Sequence, residues 1–254
     1  MQILLASAKI MNDEQKSVPE LPLSTPLFEK EAEAFARDMS QYSCETIANM
    51  LKCSRDIASQ NQLRYKQFFD QKPKFHAVLT YHGQAYKHLN ADTLKPSDLT
   101  HAQAHLWITS FLYGLLRPLD AIRPYRMEAS PVLPSGKGLT MTGFWKSRLT
   151  DVLIDAVKND DGILVHLATE EFQHLFDWHR VQKEVCIIQP LFYVRKGQEL
   201  KMQAVWAKTC RGAMTRFIIE NRLKKANQLK SFSYEGFSYA PHLGEPAFPH
   251  FVKE

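Results

Sequence analysis

Basic residues are concentrated in one segment of this 254-residue chain. Residues 195–230 contain ten Lys or Arg but only two Asp or Glu, an excess of eight positive charges where the whole chain carries +5. The remaining 218 residues therefore sum to about −3. A concentrated excess of one sign is typical of a surface that binds a polyanion, or of a well-solvated helix face. Phosphate binding is the chemistry that this segment could perform.

The residues around Arg211 are the best candidates for phosphate contact. Alternation over residues 200–207 predicts a strand, and Thr209 can cap a helix over residues 210–223. Gly212 would then lie near the helix N-terminus, where a phosphate could approach backbone N–H groups. The basic and polar side chains of one face are Lys208, Arg211, Thr215 and Arg222, with Arg216 at the flank and Lys224 and Lys225 beyond. A solvated face of an amphipathic helix would explain the same pattern.

A second group of polar residues lies in a stretch that prolines stiffen, after a buried strand predicted over residues 106–112. Rigid loops with several charged side chains are a common way to build a site. The candidate pocket residues are Tyr113, Arg117, Asp120, Arg126 and Glu128. Structural ion pairs, for example between Arg117 and Asp120, are the alternative.

Composition predicts an ordinary soluble globular protein, with 44% hydrophobic and 23% charged residues. The four cysteines show no CxxC spacing and are typical of free thiols in a reducing compartment, which favours a cytoplasmic location. His101 and His105 stand four residues apart, but no third ligand accompanies them. We therefore expect no metal site, no cofactor and no membrane partner.

Strand and helix patterns alternate along the chain, which predicts a single α/β or mixed α+β domain with a mixed central sheet over residues 1–254. The first strand is expected at residues 3–7, and residues 12–26 form a proline-rich loop. Helices dominate residues 27–69. A strand is predicted over residues 75–81, and the tail from Tyr239 is expected to be irregular.

Several stretches together are similar to the YaaA family of peroxide-stress-resistance proteins. They occur in the family's order along nearly the whole chain: LLASAK, YHGQAY, LYGLLRPLDAIRPYRME, FWKSRL, LVHLATEEF, WAKTCRGAMTRFIIENRL and YEGFSY. The resemblance implies a bacterial cytoplasmic protein that protects against hydrogen peroxide damage and is linked to lower free iron. It also implies a fold unlike the common superfolds, and no established reaction.

The resemblance further implies binding of duplex or branched DNA through a positive cleft and a helix-hairpin-helix element. Lys9 would join the basic helix in that cleft. The helix-hairpin-helix would occupy residues 45–69, with Lys52, Ser54 and Arg55 as its phosphate contacts.

Three hypotheses follow from these observations. The first is a non-enzymatic DNA-binding protein that binds phosphates without reading sequence. The second is an enzyme that acts on a nucleotide or nucleobase through the residues between Arg117 and Glu128. The third, direct iron sequestration, has no convincing ligand set. Convergence of the basic helix with the loop over residues 117–128 would show whether one cleft contains both groups.

Overall fold

The computed structural model describes residues 1–12, 21–70 and 73–254. Helices and strands alternate along the chain in a mixed α/β fold, which confirms the predicted fold class. The helices are α1 (Glu29–Ser40), α2 (Cys44–Leu51), α3 (Arg55–Lys66), α4 (Ala77–Thr80), α5 (Gln84–Leu89), α6 (Pro96–His105), α7 (Met141–Lys158), α8 (Trp178–Glu184) and α9 (Ala204–Glu220). Short 3-10 turns occupy Ala91–Thr93, Pro134–Gly136, Glu170–Leu175 and Ala226–Ser231.

The strands form two five-stranded sheets and one two-stranded ribbon. The strands are β1 (Gln2–Ala6), β2 (Phe75–His76), β3 (Leu106–Ser110), β4 (Gly114–Leu116), β5 (Ala121–Ile122), β6 (Ile163–Leu167), β7 (Cys186–Ile188), β8 (Leu191–Lys196), β9 (Glu199–Lys201), β10 (Ser233–Tyr234), β11 (Phe237–Glu245) and β12 (Phe248–Lys253). The ribbon pairs β2 with β5.

The first sheet has the order β4-β3-β1-β6-β7. Strand β1 lies at its centre and pairs in parallel with β3 on one side and β6 on the other. β7 extends the parallel arrangement, and β4 adds one antiparallel edge. Ile3, Leu4 and Leu5 are fully buried, as expected for a parallel strand covered on both faces. The predicted first strand is therefore confirmed.

The second sheet has the order β10-β11-β12-β8-β9, and a parallel pairing of β12 with β8 joins the antiparallel strands β10, β11 and β12 to the hairpin of β8 and β9. Phe192, Phe232, Phe237 and Phe251 pack together as its aromatic core. The prediction of an irregular tail from Tyr239 was wrong. β12 is ordered by its pairing with β8, more than fifty residues earlier in the chain, and local composition carries no sign of so distant a partner.

Helix α9 links the two sheets, because it contacts β1 of the first sheet, β8 of the second, and helices α5 and α6. The predicted strand over residues 200–207 was wrong beyond Lys201, since the helix already begins at Ala204. Ala207 and Cys210 are buried among these contacts. The alternation of apolar residues over 200–207 covers the end of a strand and the start of a helix.

The predicted helical stretch over residues 27–69 is confirmed as α1, α2 and α3. Ser43 and Ser54 cap α2 and α3, and α2 packs against α3 across a short turn. Lys52 takes a left-handed conformation in this turn, with φ of 46°. Assignment of the pair as a DNA-binding helix-hairpin-helix stays a prediction.

Two other element predictions have different outcomes. The strand predicted over residues 75–81 is a strand only at Phe75–His76, and α4 follows at once. A short apolar run of this kind does not distinguish a strand from a buried helix. Part of the loop predicted over residues 12–26, namely residues 13–20, lies outside the described residues.

Candidate functional site: a cationic cleft at the edge of the parallel sheet

A cleft of about 340 Å³ lies where the carboxyl ends of β1, β3 and β6 meet. Its lining includes Ser7–Ile10 after β1, Phe111 after β3, and Thr169 after β6. After β1 the chain first adds β3 on one side of it and later adds β6 on the other side. The crevice between these two directions is a topological switch point. Ligands of parallel sheets bind preferentially at this position.

The floor of the cleft is apolar. Phe111 and Phe172 stack with ring centroids 4.7 Å apart and planes at 14°. Leu167 and Met127 extend this surface, and Tyr125 lies beside it. The Tyr125 hydroxyl lies within hydrogen-bonding distance of two other buried hydroxyls, 2.6 Å from Ser110 Oγ and 2.7 Å from Tyr81 Oη. Burial raises the pKa of Tyr125 to about 12, so this hydroxyl is neutral at physiological pH.

Helix α9 supplies two cations to the cleft wall, Lys208 and Arg211, about one turn apart. Lys208 is exposed, whereas Arg211 is half-buried. Within the described ranges, neither side chain has a hydrogen bond or an ion pair. Burial lowers the pKa of Arg211, because the charged guanidinium loses contact with solvent. A half-buried guanidinium without a partner of opposite charge lowers the stability of the fold unless a ligand supplies that negative charge.

His166 is a neighbour of Arg211. It lies on β6 and is 1% exposed. Burial, and then the positive charge of Arg211, lower the pKa of His166 to about 3. His166 is therefore neutral at physiological pH, and the carboxylate among the described lining residues is that of the exposed Glu171.

Lys9 and Arg126 form the other charged wall of the cleft, and both contact Glu128. Lys9 Nζ lies 2.7 Å from Glu128 Oε2, and an Arg126 NH2 group lies 2.9 Å from Glu128 Oε1. The second contact is close but poorly aligned, because Oε1 has no hydrogen bond of acceptable geometry within the described residues. The Arg126 Nε is also buried without a hydrogen-bond partner there. This wall is therefore only partly neutralised.

The turn between α2 and α3 adjoins the same wall. Burial raises the pKa of Cys53, Arg126 acts to lower it, and Glu128 acts to raise it, which places the turn beside this ion pair. Lys52 and Arg55 flank the turn and are exposed. The Ser54 hydroxyl accepts a hydrogen bond from the Ile57 N–H and so serves as a helix cap. A phosphate contact of these three residues stays a prediction.

Comparison with known proteins places the chain in a family. The family model for peroxide stress protein YaaA matches residues 1–243. This chain belongs to the YaaA family. UPF0246 proteins are similar along nearly their whole length: one from Phocaeicola vulgatus is 44% identical over 240 residues, which cover 94% of each chain. One from Bacteroides thetaiotaomicron is 42% identical over 96% of this chain and 95% of its own. One from Legionella pneumophila is 33% identical over 91% of each.

The basic segment of this YaaA-family chain divides into two parts. Lys208 and Arg211 line the cleft, and Arg216 and Arg222 are held elsewhere. Arg216 donates to the carbonyls of Leu89 and Asn90 at the end of α5. Arg222 lies beyond the end of α9, with φ of 50°, and pairs with Asp98 at 2.8 Å. The expectation that Arg222 shares a helix face with Lys208 and Arg211 was therefore wrong, because Arg222 lies beyond the end of α9.

Gly212 is not at a helix N-terminus, which corrects the predicted phosphate site there. Since α9 begins at Ala204, Gly212 lies in the middle of the helix, where backbone N–H groups bond to the preceding turn. A Cβ atom at Gly212 would lie 1.8 Å from the Ala85 carbonyl oxygen. The glycine therefore permits close packing of α5 on α9. Thr215, expected on the polar face, is fully buried.

Three of the predicted pocket residues lie outside the cleft and have structural contacts. Tyr113 is buried, and its hydroxyl accepts from the Arg123 N–H at 3.3 Å. The Arg117 guanidinium lies 3.1 Å over the Trp107 ring. Asp120 is 3% exposed and accepts from the Arg117 backbone N–H at 2.7 Å, rather than from its guanidinium. Of the predicted pocket, only Arg126 lines the cleft, and Glu128 pairs with it.

The apolar floor of the cleft was not identified from the sequence as part of a site. Phe111, Leu167, Thr169 and Phe172 have the composition of core residues. Each follows or ends a parallel strand, and that position is the signal that could have identified them.

Two kinds of feature are absent from the described residues. None of the helices in the described part of the chain is both long and apolar enough to cross a bilayer. Over the same ranges, no group of three His, Cys, Asp or Glu side chains is arranged to hold a metal ion.

Proposed function

We propose that this protein binds duplex or branched DNA through the cationic cleft as its contribution to the peroxide stress response. The observation that carries the proposal is the convergence of Lys208 and Arg211 with Lys9 and Arg126 around one crevice. Cations from distant parts of the chain meet there, and the two on α9 have no partner among the described residues. Phosphate groups would supply the missing negative charge.

The contact would be independent of sequence. Lysine and arginine side chains that meet phosphates fix the position of a duplex but do not read its bases. Lys224, Lys225 and the turn over residues 52–55 would extend the phosphate contacts beyond the cleft. The proposal also includes a cytoplasmic location, protection of DNA and the association with lower free iron that resemblance to the family implies.

A double charge reversal tests the proposal. Lys208→Glu with Arg211→Glu should weaken duplex binding roughly 100-fold near physiological salt, because two phosphate contacts become repulsive. The slope of log K against log salt should become shallower by about 2, since each lost contact releases about 0.9 fewer counterions. Fluorescence anisotropy of a labelled duplex over a salt series measures both quantities.

The matched control is Lys146→Glu with Lys183→Glu. Both lysines are exposed, on α7 and α8, and neither lines the cleft. This pair changes the net charge by the same amount, so it should weaken binding several-fold at most. Equal losses in the two double variants would show a general charge effect and would contradict the assignment of the cleft.

An enzyme that acts on a nucleotide or nucleobase is the second candidate. The position of the cleft at the carboxyl ends of parallel strands favours it, because catalytic sites of α/β sheets form there. Glu128 pairs with both Lys9 and Arg126 at the cleft wall. Loss of peroxide protection in Glu128→Gln, with DNA affinity intact, would favour this candidate over simple binding, and full protection would count against it.

A further inference from the structure

The cleft has a depth that contact with a paired duplex does not require. A paired duplex presents phosphates and groove edges to a protein, and its base faces are covered by stacking. Lysine and arginine on a flat surface would suffice for phosphate contact. The described cleft instead encloses about 340 Å³ above Phe111, Phe172 and Leu167. This volume lies within the range of small-molecule pockets.

Apolar floor and cationic wall belong to one continuous crevice. Arg211 and Phe172 both line it, so a ligand that fills it must be apolar and flat at one end and negative at the other. A nucleotide has this character, with an aromatic base and a phosphate. Bases stack on aromatic side chains and on guanidinium planes, and phosphates pair with Lys and Arg.

The polar groups beside the floor suit a base edge. The Thr169 side chain is half-buried in the lining and does not cap the 3-10 turn that follows it. Gln84 donates to Thr209 at 2.9 Å, which holds its amide at the cleft. These groups could hydrogen-bond the edge of a base whose face lies on the apolar floor.

We propose that the cleft receives one unpaired nucleotide of a DNA strand, with its base on the Phe111–Phe172 floor and its phosphates at Lys208 and Arg211. This inference rests on the proposed DNA binding and names the part of the DNA that the cleft recognises. Unpaired nucleotides cost the least to move out of the stack, so bulges, mismatches and damaged positions would be preferred.

Three duplexes of one sequence test the inference. The first is fully paired, the second carries one bulged 2-aminopurine nucleotide, and the third carries an abasic residue at the bulge. The wild-type protein should bind the 2-aminopurine bulge about tenfold more tightly than the abasic bulge, because stacking contributes about 1–3 kcal/mol per base. The fluorescence of 2-aminopurine should also change on binding.

Thr169→Phe places a ring in the crevice and serves as the blocking variant. It should abolish the preference for the 2-aminopurine bulge over the abasic bulge. Thr100→Phe, at an exposed site on α6, is the matched control and should keep the preference. Circular dichroism verifies that both variants are folded. If a variant does not fold, the wild-type affinities for the three duplexes still test the inference.

The outcomes separate the two proposals. Equal wild-type affinity for the three duplexes would overturn the unpaired-nucleotide inference and leave DNA binding in place. Absence of binding to any duplex would overturn both. Binding of free deoxyadenosine monophosphate as tightly as the bulged duplex would also overturn the inference, because the ligand would then be a free nucleotide rather than part of a strand.

Discussion

Two pairs of cations in the basic segment, residues 195–230, differ in what surrounds their charges. Lys208 and Arg211 lie against a crevice without a partner among the described residues, whereas Arg216 and Arg222 are bound to carbonyl oxygens and carboxylates. Both pairs add equally to the charge excess of the sequence. Only the first pair is available to a polyanion. Charge counts therefore locate a basic segment, and tertiary contacts decide which of its cations can bind a ligand.

The difference has a simple origin in the packing of α9. Its first half contacts β1 and lines the crevice where the parallel strands end. Arg216 in its second half meets the carboxyl end of α5, whose last carbonyls need donors. A cation at a helix C-terminus is also favoured by the helix dipole. Arg216 therefore stabilises the fold, and Arg211 does not.

The largest expected effect comes from Gly212, which lies between the two pairs. Gly212→Ala should lower the free energy of unfolding by at least about 3 kcal/mol, because its Cβ would overlap the Ala85 carbonyl of α5. Movement of α5 would also disturb the carbonyls that hold Arg216. Urea denaturation measures the loss. Gly143→Ala on α7 is the control, since its nearest contact is a side-chain oxygen at 3.3 Å; similar losses in both would contradict the packing argument.

The dependence of the free energy of unfolding on pH tests the surroundings of Arg211, beside which His166 lies. Its pKa is lowered to about 3 in the folded chain, so the folded state excludes the proton that the unfolded state accepts near pH 6.5. Its contribution to stability is complete above pH 6.5 and is lost as pH falls toward about 3. Between pH 6.5 and pH 4 the wild-type protein should lose roughly 3 kcal/mol more than His166→Asn.

Chemical denaturation at four pH values between 4 and 7 measures that difference. The exposed His179→Asn is the control, and its stability should follow the wild-type curve. Parallel curves for the wild type and His166→Asn would show that His166 is not the neutral, buried group described above.

The smallest effect separates the two pairs directly. Arg216→Ala should cost about 2 kcal/mol, because it removes charged hydrogen bonds to Leu89, Asn90 and Thr93. Arg211→Ala should change the free energy of unfolding by less than about 0.5 kcal/mol, since no protein partner is lost. Thermal denaturation ranks the two variants. A larger loss for Arg211→Ala would reverse the comparison.

The sequence was sufficient for the fold class, the central strand β1 and the helices α1 to α3. Apolar runs, serine caps and charge are local features, and they predicted these elements correctly. The start of α9 was mistaken, because residues 200–207 alternate like a strand while Trp206 and Ala207 pack as helix residues. The error moved Gly212 from a helix centre to a supposed phosphate site.

The candidate site was predicted only in part for a similar reason. Lys9, Arg126, Lys208 and Arg211 were named from charge and resemblance, and all four line the cleft. The sequence could not distinguish Asp120 and Arg117 from these four residues. Asp120 is held by Ser24 and Arg117 by Trp107, and neither contact can be predicted from the local sequence. Residues far apart in the chain decide which polar groups face a ligand.

The central position of β1 has a consequence for biosynthesis. Its two neighbours in the sheet begin at residues 106 and 163, so the apolar segment Ile3–Leu5 stays unpaired while more than a hundred residues are synthesised. Parallel pairing across such separations is slow and leaves strand edges open to aggregation. The cleft wall on α9 follows later still. The ribosome must therefore synthesise the chain beyond α9, which ends at Glu220, before the crevice can form.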